Sequence, residues 1–247
     1  MGSLDNLWND VTGVQAQSPT IEVLLCSLPA LAAVTLGNVW RWARNVVTIA
    51  HEGGHALVAL LVGRRLSGIR LHSDTSGVTV SRGRPTGPGM VATALAGYVA
   101  PSLLGLGFAA MLTAGRITAL LWLSIAALAA MLLLIRNAYG VLSILTTGLA
   151  IFAVSWFAPD RAQAAVAYSF TWFLLFAGVR PVGELQRKRA RRGARDSDAD
   201  QLARLTGVPG LAWVMVFGLV ALGALAMGAS LLISWTDLSP TLDPSAR

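Results

Sequence analysis

One cysteine, one lysine, three histidines and three glutamates in 247 residues leave little material for chemistry. With Cys26 alone, a disulfide framework and a thiolate metal cluster are both excluded, so any metal must be held by histidine and carboxylate. Charge is scarce as well. Only 13% of residues are charged against 55% hydrophobic, with a mean hydropathy of +0.63, whereas a soluble domain carries about 25% charged residues. The first twenty residues contain Asp5 and Asp10 but no Lys or Arg. The basic start of a cleaved signal peptide is therefore missing, and the first apolar run is expected to be retained.

What the sequence does contain is long apolar runs, each near the roughly 20 residues a helix needs to cross a bilayer core. Seven are read, at about 21–40, 45–63, 89–113, 117–135, 138–158, 162–179 and 210–235. The expected fold is an all-α polytopic membrane protein with a small β-hairpin after the second span, and residues 1–247 form one integral membrane domain. Fourteen of the 19 Lys and Arg fall in 64–88, at 136 and in 180–207; the other five are Arg41, Arg44, Arg116, Arg161 and Arg247. Positive charge collects on the cytoplasmic side of membrane proteins. On a seven-span count this places the N-terminus in the cytoplasm and the C-terminus outside, in a multi-pass cell-membrane protein. The run RKRARR is then a topology anchor drawn to anionic lipid rather than a nucleic-acid site.

The stretch TIAHEGGHALVALLVG, residues 48–63, sets three ionisable side chains where burial costs most. His51 and His55 are four residues apart, so on a helix both imidazoles leave one face a turn apart, near enough to bind one ion. Glu52 can reach a water on that ion. This is the H-E-x-x-H arrangement of zinc hydrolases, and ionisable residues inside a span favour function over packing.

HEGGHAL inside a transmembrane helix, followed by a short polar hairpin, resembles the site-2 protease family of intramembrane zinc metalloproteases, in particular its compact bacterial branch without an inserted PDZ domain. The likeness covers His51 to about Arg84 and then SDADQLARLTGVPG at 197–210. The resemblance implies one Zn²⁺ per chain, held by His51, His55 and a distant aspartate, with Glu52 as general base. It also implies hydrolysis of peptide bonds in membrane-spanning protein substrates near the cytoplasmic side, as in regulated intramembrane proteolysis. The family's aspartate commonly sits in a Leu-Asp-Gly context, which this chain lacks.

For the third ligand, a histidine ten residues after His51 is ruled out because that position is Leu61. The only later glutamate is Glu184, in the basic segment. His72 and the cluster Asp196, Asp198 and Asp200 remain. DSDADQLARLTGVPG reads as a short helix capped by Ser197 or Asp196 and ended by Gly207 and Pro209. Asp198 shares a face with Leu202 and Leu205, the face that would pack on the bundle. Asp200 stands four residues before Arg204, as a solvated ion pair would, and Asp196 lies on that side. Asp198 is therefore the expected ligand and Asp200 the alternative, and the family-like SDA pattern points the same way.

In GIRLHSDTSGVTVS, Ile69, Leu71, Val78 and Val80 alternate with polar neighbours around a turn. His72 is read as a surface residue of this hairpin. The 69–80 hairpin offers an edge to which a substrate segment can add as a strand. ALAGYVAPSLLG and FGLVALGALAMGAS are read as close helix packing, and Asn137 as a helix start or a donor to a substrate carbonyl. Trp40, Trp42, Trp156 and Trp235 are read as interfacial anchors. Two rival classes use the same residues: a transporter with a His/Glu proton relay, and a catalytically silent scaffold. Oligomeric state is left open.

Overall fold

The computed structural model describes residues 8–9, 11–191 and 197–233. Asp5, Asp10, Asp196, Trp235 and Arg247, with Arg192 and Arg195 of the basic 180–207 segment, lie outside the described residues. Among the described residues the chain is mostly helical, with eight helices and one two-stranded antiparallel sheet. In order they are α1 (Thr20–Thr35), α2 (Gly37–Leu61), β1 (Arg65–Leu71), β2 (Gly77–Arg82), α3 (Pro88–Thr113), α4 (Ile117–Leu132), α5 (Ala138–Phe157), α6 (Asp160–Ala190), α7 (Asp198–Thr206) and α8 (Gly210–Leu232).

Helices occupy each expected run within the described residues, although 21–40 is divided at Leu36, and seven independent crossings are not found. Four helices, α3, α5, α6 and α8, are long and apolar enough to cross a membrane alone. The α1–α2 pair passes that test only jointly and is bent by 100°, while α4 is shorter. The break falls at Leu36, whose backbone is extended, and not at Arg41–Arg44, where polarity suggested a loop. Arg44 has its partner on α6, whereas Arg41 donates to Asn38 Oδ1 within α2 at 3.0 Å. Arg180 donates to the Val34 carbonyl at the end of α1 and stacks 4.6 Å over the Trp40 ring. Glu184 accepts from Trp40 Nε1 at 2.9 Å and lies 3.7 Å from Arg44. Trp40 is thus a buried staple at the bend rather than an interfacial anchor. Trp42, by contrast, is exposed.

One end of the bundle gathers residues 12–22, the α3–α4 turn and the last turn of α8. Gln17 donates to the Thr113 carbonyl at 2.5 Å, and Arg116 to the carbonyl of Gly13 at 2.9 Å. Arg161 pairs with Glu22 at 2.7 Å, and Thr113 Oγ1 reaches the Leu231 carbonyl at 3.4 Å. The segment leading into α1 and the end of α8 therefore lie at the same end, opposite the hairpin. The opposed termini expected from seven spans are therefore not supported, since α1 and α2 pass the span test only as a bent pair. Helix α6 also runs three turns beyond its apolar stretch, to Ala190. Arg187, Lys188 and Arg189 in its last turn suit the negative end of the helix dipole.

Helix α3 is the hub, packed on α2, α6 and α8. Small residues let it approach closely: a Cβ on Gly54 of α2 would come 2.9 Å from the Ala96 carbonyl oxygen, and one on Gly105 would come 3.1 Å from Leu174 Cβ. The hairpin is longer than the sequence indicated. Its register pairs Ile69 with Thr79 and Leu71 with Gly77, with a bulge between Leu66 and Gly68. Ile69 and Leu71 are fully buried, whereas Val78 and Val80 on the opposite face are about half exposed, at 48% and 47%. His72 is exposed and holds the turn, its backbone N–H donating to the Ser76 carbonyl at 2.8 Å. Strand β1 is sealed along its outer edge by residues 134–137. Ile69 N–H donates to the Leu134 carbonyl and Arg136 N–H to the Ile69 carbonyl. Asn137 accepts from Leu71 N–H at 3.2 Å and donates to its carbonyl at 2.6 Å. Both functions of the Asn137 amide are thus engaged in architecture.

Candidate metal centre

His51 and His55 sit in the middle of α2 and face α3. There Gly97 leaves the room they need, since a Cβ at that position would lie 2.5 Å from His55 Cε1 and 2.6 Å from His51 Nε2. One turn earlier on α3, the Thr93 carbonyl lies 2.7 Å from His55 Nδ1. A carbonyl can only accept, so the proton belongs on Nδ1 and the Nε2 lone pair points into the site.

The third group arrives from α7. Ser197 caps this helix, its side chain accepting from Asp200 N–H, and Gly207 ends it in the left-handed conformation at φ 75°. Ala199 and Leu202 bury one face of α7 against α3 and α8, and that seating brings Asp198 onto the histidines. Asp198 Oδ2 lies 3.2 Å from His51 Nε2 and 3.3 Å from His55 Nε2, and the two Nε2 atoms are 3.1 Å apart. Burial works against the Asp198 carboxylate, yet hydrogen bonding and charge at His51 and His55 hold it well below the usual carboxylate range. Asp200 turns away. It pairs with Arg189 of α6 and accepts from Ser197 Oγ at 2.6 Å, so its principal ion-pair partner is not the Arg204 that helical spacing suggested.

Three such atoms this close together repel one another unless a proton or a metal ion lies between them. Their separations also fit a metal ion: tetrahedral bonds of about 2.0–2.1 Å to nitrogen and oxygen set ligand atoms about 3.3 Å apart. The His₂Asp donor set is suited to zinc.

Glu52 lies on the neighbouring face of α2 and is 4% exposed. It is outside the three-residue donor group. The hairpin closes over it: Thr79 Oγ1 donates to Glu52 Oε2 at 2.6 Å, and a Cβ on Gly77 would come 2.6 Å from Oε1. Thr79, Thr93, Gly97 and Tyr98 were not singled out from the sequence. Thr79 and Gly97 had been read as hairpin alternation and helix packing, and only the assembled fold shows that they border the ionisable residues.

A half-buried His₂Asp cluster with a buried carboxylate beside it, inside a helical membrane bundle, defines a candidate metallohydrolase of the membrane. Residues 24–228 match the Peptidase M50B-like family, and the chain belongs to it: a membrane metalloprotease family of the site-2 protease type, zinc-dependent in general. No curated protein and no solved structure matches the chain.

Proposed function

We propose that the chain is an intramembrane zinc endopeptidase, and that His51, His55 and Asp198 hold the metal while Glu52 is the general base. The observation that carries this reading is the convergence of three donor atoms within 3.3 Å on the helix that bears Glu52. Zinc bound there would supply a Lewis acid and acidify a water to a pKa of about 7. Glu52 would accept a proton from the water that attacks the peptide carbonyl and return it to the departing amine. Thr79 keeps the Glu52 carboxylate oriented, and the Thr93 carbonyl keeps His55 in the tautomer that can bind.

The reading extends to orientation. The hairpin, the C-terminal end of α6 and α7 share one end of the bundle with most of the arginines, which supports a cytoplasmic location for that end. Arg116 and Arg161 then lie outside, together with the segment before α1 and the end of α8. Single cysteines introduced into a Cys26→Ser chain test it: Arg82 and Arg191 positions are expected to resist an impermeant thiol reagent in intact cells, and Arg161 to react. The opposite pattern inverts the topology.

Substrate is proposed to bind as a strand on β2. Because Ile69 and Leu71 turn their amides towards 134–137, alternation turns the main-chain groups of Gly77, Thr79 and Ser81 outward, and nothing among the described residues pairs with them. The purified chain is expected to hold zinc and to cleave a membrane-spanning peptide. Ser81→Pro, which removes an outward donor, is expected to slow cleavage several-fold with zinc unchanged. Ser81→Ala, which loses only the 3.0 Å bond from Arg64, is the control. A metal-free chain that conducts protons would favour the transporter reading, and full activity in Ser81→Pro would leave the hairpin as a cover.

A further inference from the structure

Two of the three candidate ligands have an evident hydrogen-bonded hold, and the third does not. His55 is fixed by Thr93, and Asp198 rides on a helix secured by the Ser197 cap and the Asp200–Arg189 pair. His51 Nδ1 has no hydrogen-bond partner among the described residues, so beyond the cluster's own contacts at Nε2 no hydrogen bond orients its imidazole. What borders it is an aromatic ring. Tyr98, the residue after Gly97 on α3, places its ring centroid 5.0 Å from that of His51 at an interplanar angle of 83°. The same Tyr98 ring stacks on Phe217 of α8, at 4.8 Å and 13°.

Phe217 is fully buried, and it shares a cluster with Ala199 and Leu202 of α7. The column His51, Tyr98, Phe217 therefore runs from the metal-site helix through α3 to the packing that seats Asp198. Edge-to-face and offset-stacked contacts of this kind are directional. A ligand already held in its binding rotamer loses less freedom when the ion arrives.

We infer that Tyr98 is the positioning residue of His51: its ring, backed by Phe217, fixes the imidazole and ties that orientation to the docking of the helix that carries Asp198. This rests on the reading that the three residues hold zinc. The ring is the working part, because the Tyr98 hydroxyl has no hydrogen-bond partner among the described residues.

The test is zinc affinity of the purified full chain, by competition with a chelator, beside the melting temperature of the metal-free protein. Wild type comes first, since a chain that takes up no zinc defeats the metalloprotease reading itself. Given zinc in the wild type, Tyr98→Phe is expected to stay within about twofold, and Tyr98→Leu to bind about 10- to 100-fold more weakly, the usual cost of losing an outer partner of a ligand. Val182→Ala opens the same apolar cluster away from the His51–Tyr98 contact. It is expected to lower the melting temperature and leave zinc affinity alone. Undiminished affinity in Tyr98→Leu overturns the inference, as does equal weakening in Tyr98→Phe, which would make the hydroxyl the operative group. A matching loss in Val182→Ala reduces Tyr98 to packing. Should Tyr98→Leu not fold, Phe217→Leu is read in its place: several-fold weaker zinc binding supports the column, and unchanged affinity overturns it.

Discussion

Glu52→Gln is expected to give a folded, zinc-loaded chain whose cleavage rate has fallen about 10²- to 10⁴-fold, the range a general base contributes. Glutamine matches glutamate in size, and its amide oxygen can still accept from Thr79 Oγ1, which now sits 2.6 Å from Glu52 Oε2. What glutamine cannot do is take a proton from water. Because Glu52 lies outside the three-residue donor group, the metal is expected to remain. Zinc content and cleavage of a membrane-spanning substrate, measured on one preparation, check both halves. Retained turnover removes Glu52 as the base, and lost zinc makes it a ligand.

How far the sequence reached depended on whether a feature was local. The pairing of His51 with His55 follows from helical spacing, and the preference for Asp198 over Asp200 rested on the phase shared with Leu202 and Leu205, of which Leu202 is fully buried and Leu205 half-buried. The partner of Asp200 was not local. Arg189 comes from another helix, eleven positions away, and no i,i+4 rule reveals it. The same holds for the Thr79–Glu52 and Thr93–His55 contacts, which join residues 27 and 38 positions apart.

The bend at Leu36 was hidden for the opposite reason. It falls within an apolar run, while the polar Arg41–Arg44 stretch that looked like a loop is helical because Glu184 lies near enough to compensate Arg44. A charge inside a span reads as an interruption only while its partner is unseen. The count of seven crossings, and with it the opposed ends, rested on treating that stretch as a loop.

The ligand series carries the other large effect. His51→Ala and His55→Ala each leave two protein donors, and Asp198→Ala removes the anionic one, so all three are expected to lose zinc and activity together. Asp200→Ala is the discriminating control. It abolishes the pair with Arg189 and the bond from Ser197 Oγ, both at partly buried positions. A hydrogen bond to a charged group contributes about 1.5–3 kcal/mol, so a stability loss near the lower end is expected, larger than a solvated pair with Arg204 would give. Because Asp198 holds its place in the first turn of α7 through Ser197 and the burial of Ala199 and Leu202, zinc at saturating concentration is expected to remain bound and cleavage to continue. Zinc stoichiometry, melting temperature and cleavage across the four variants decide the assignment. Metal loss in Asp200→Ala with metal retained in Asp198→Ala would transfer the third position to Asp200 and require α7 to rotate by about 200° from the seating found here.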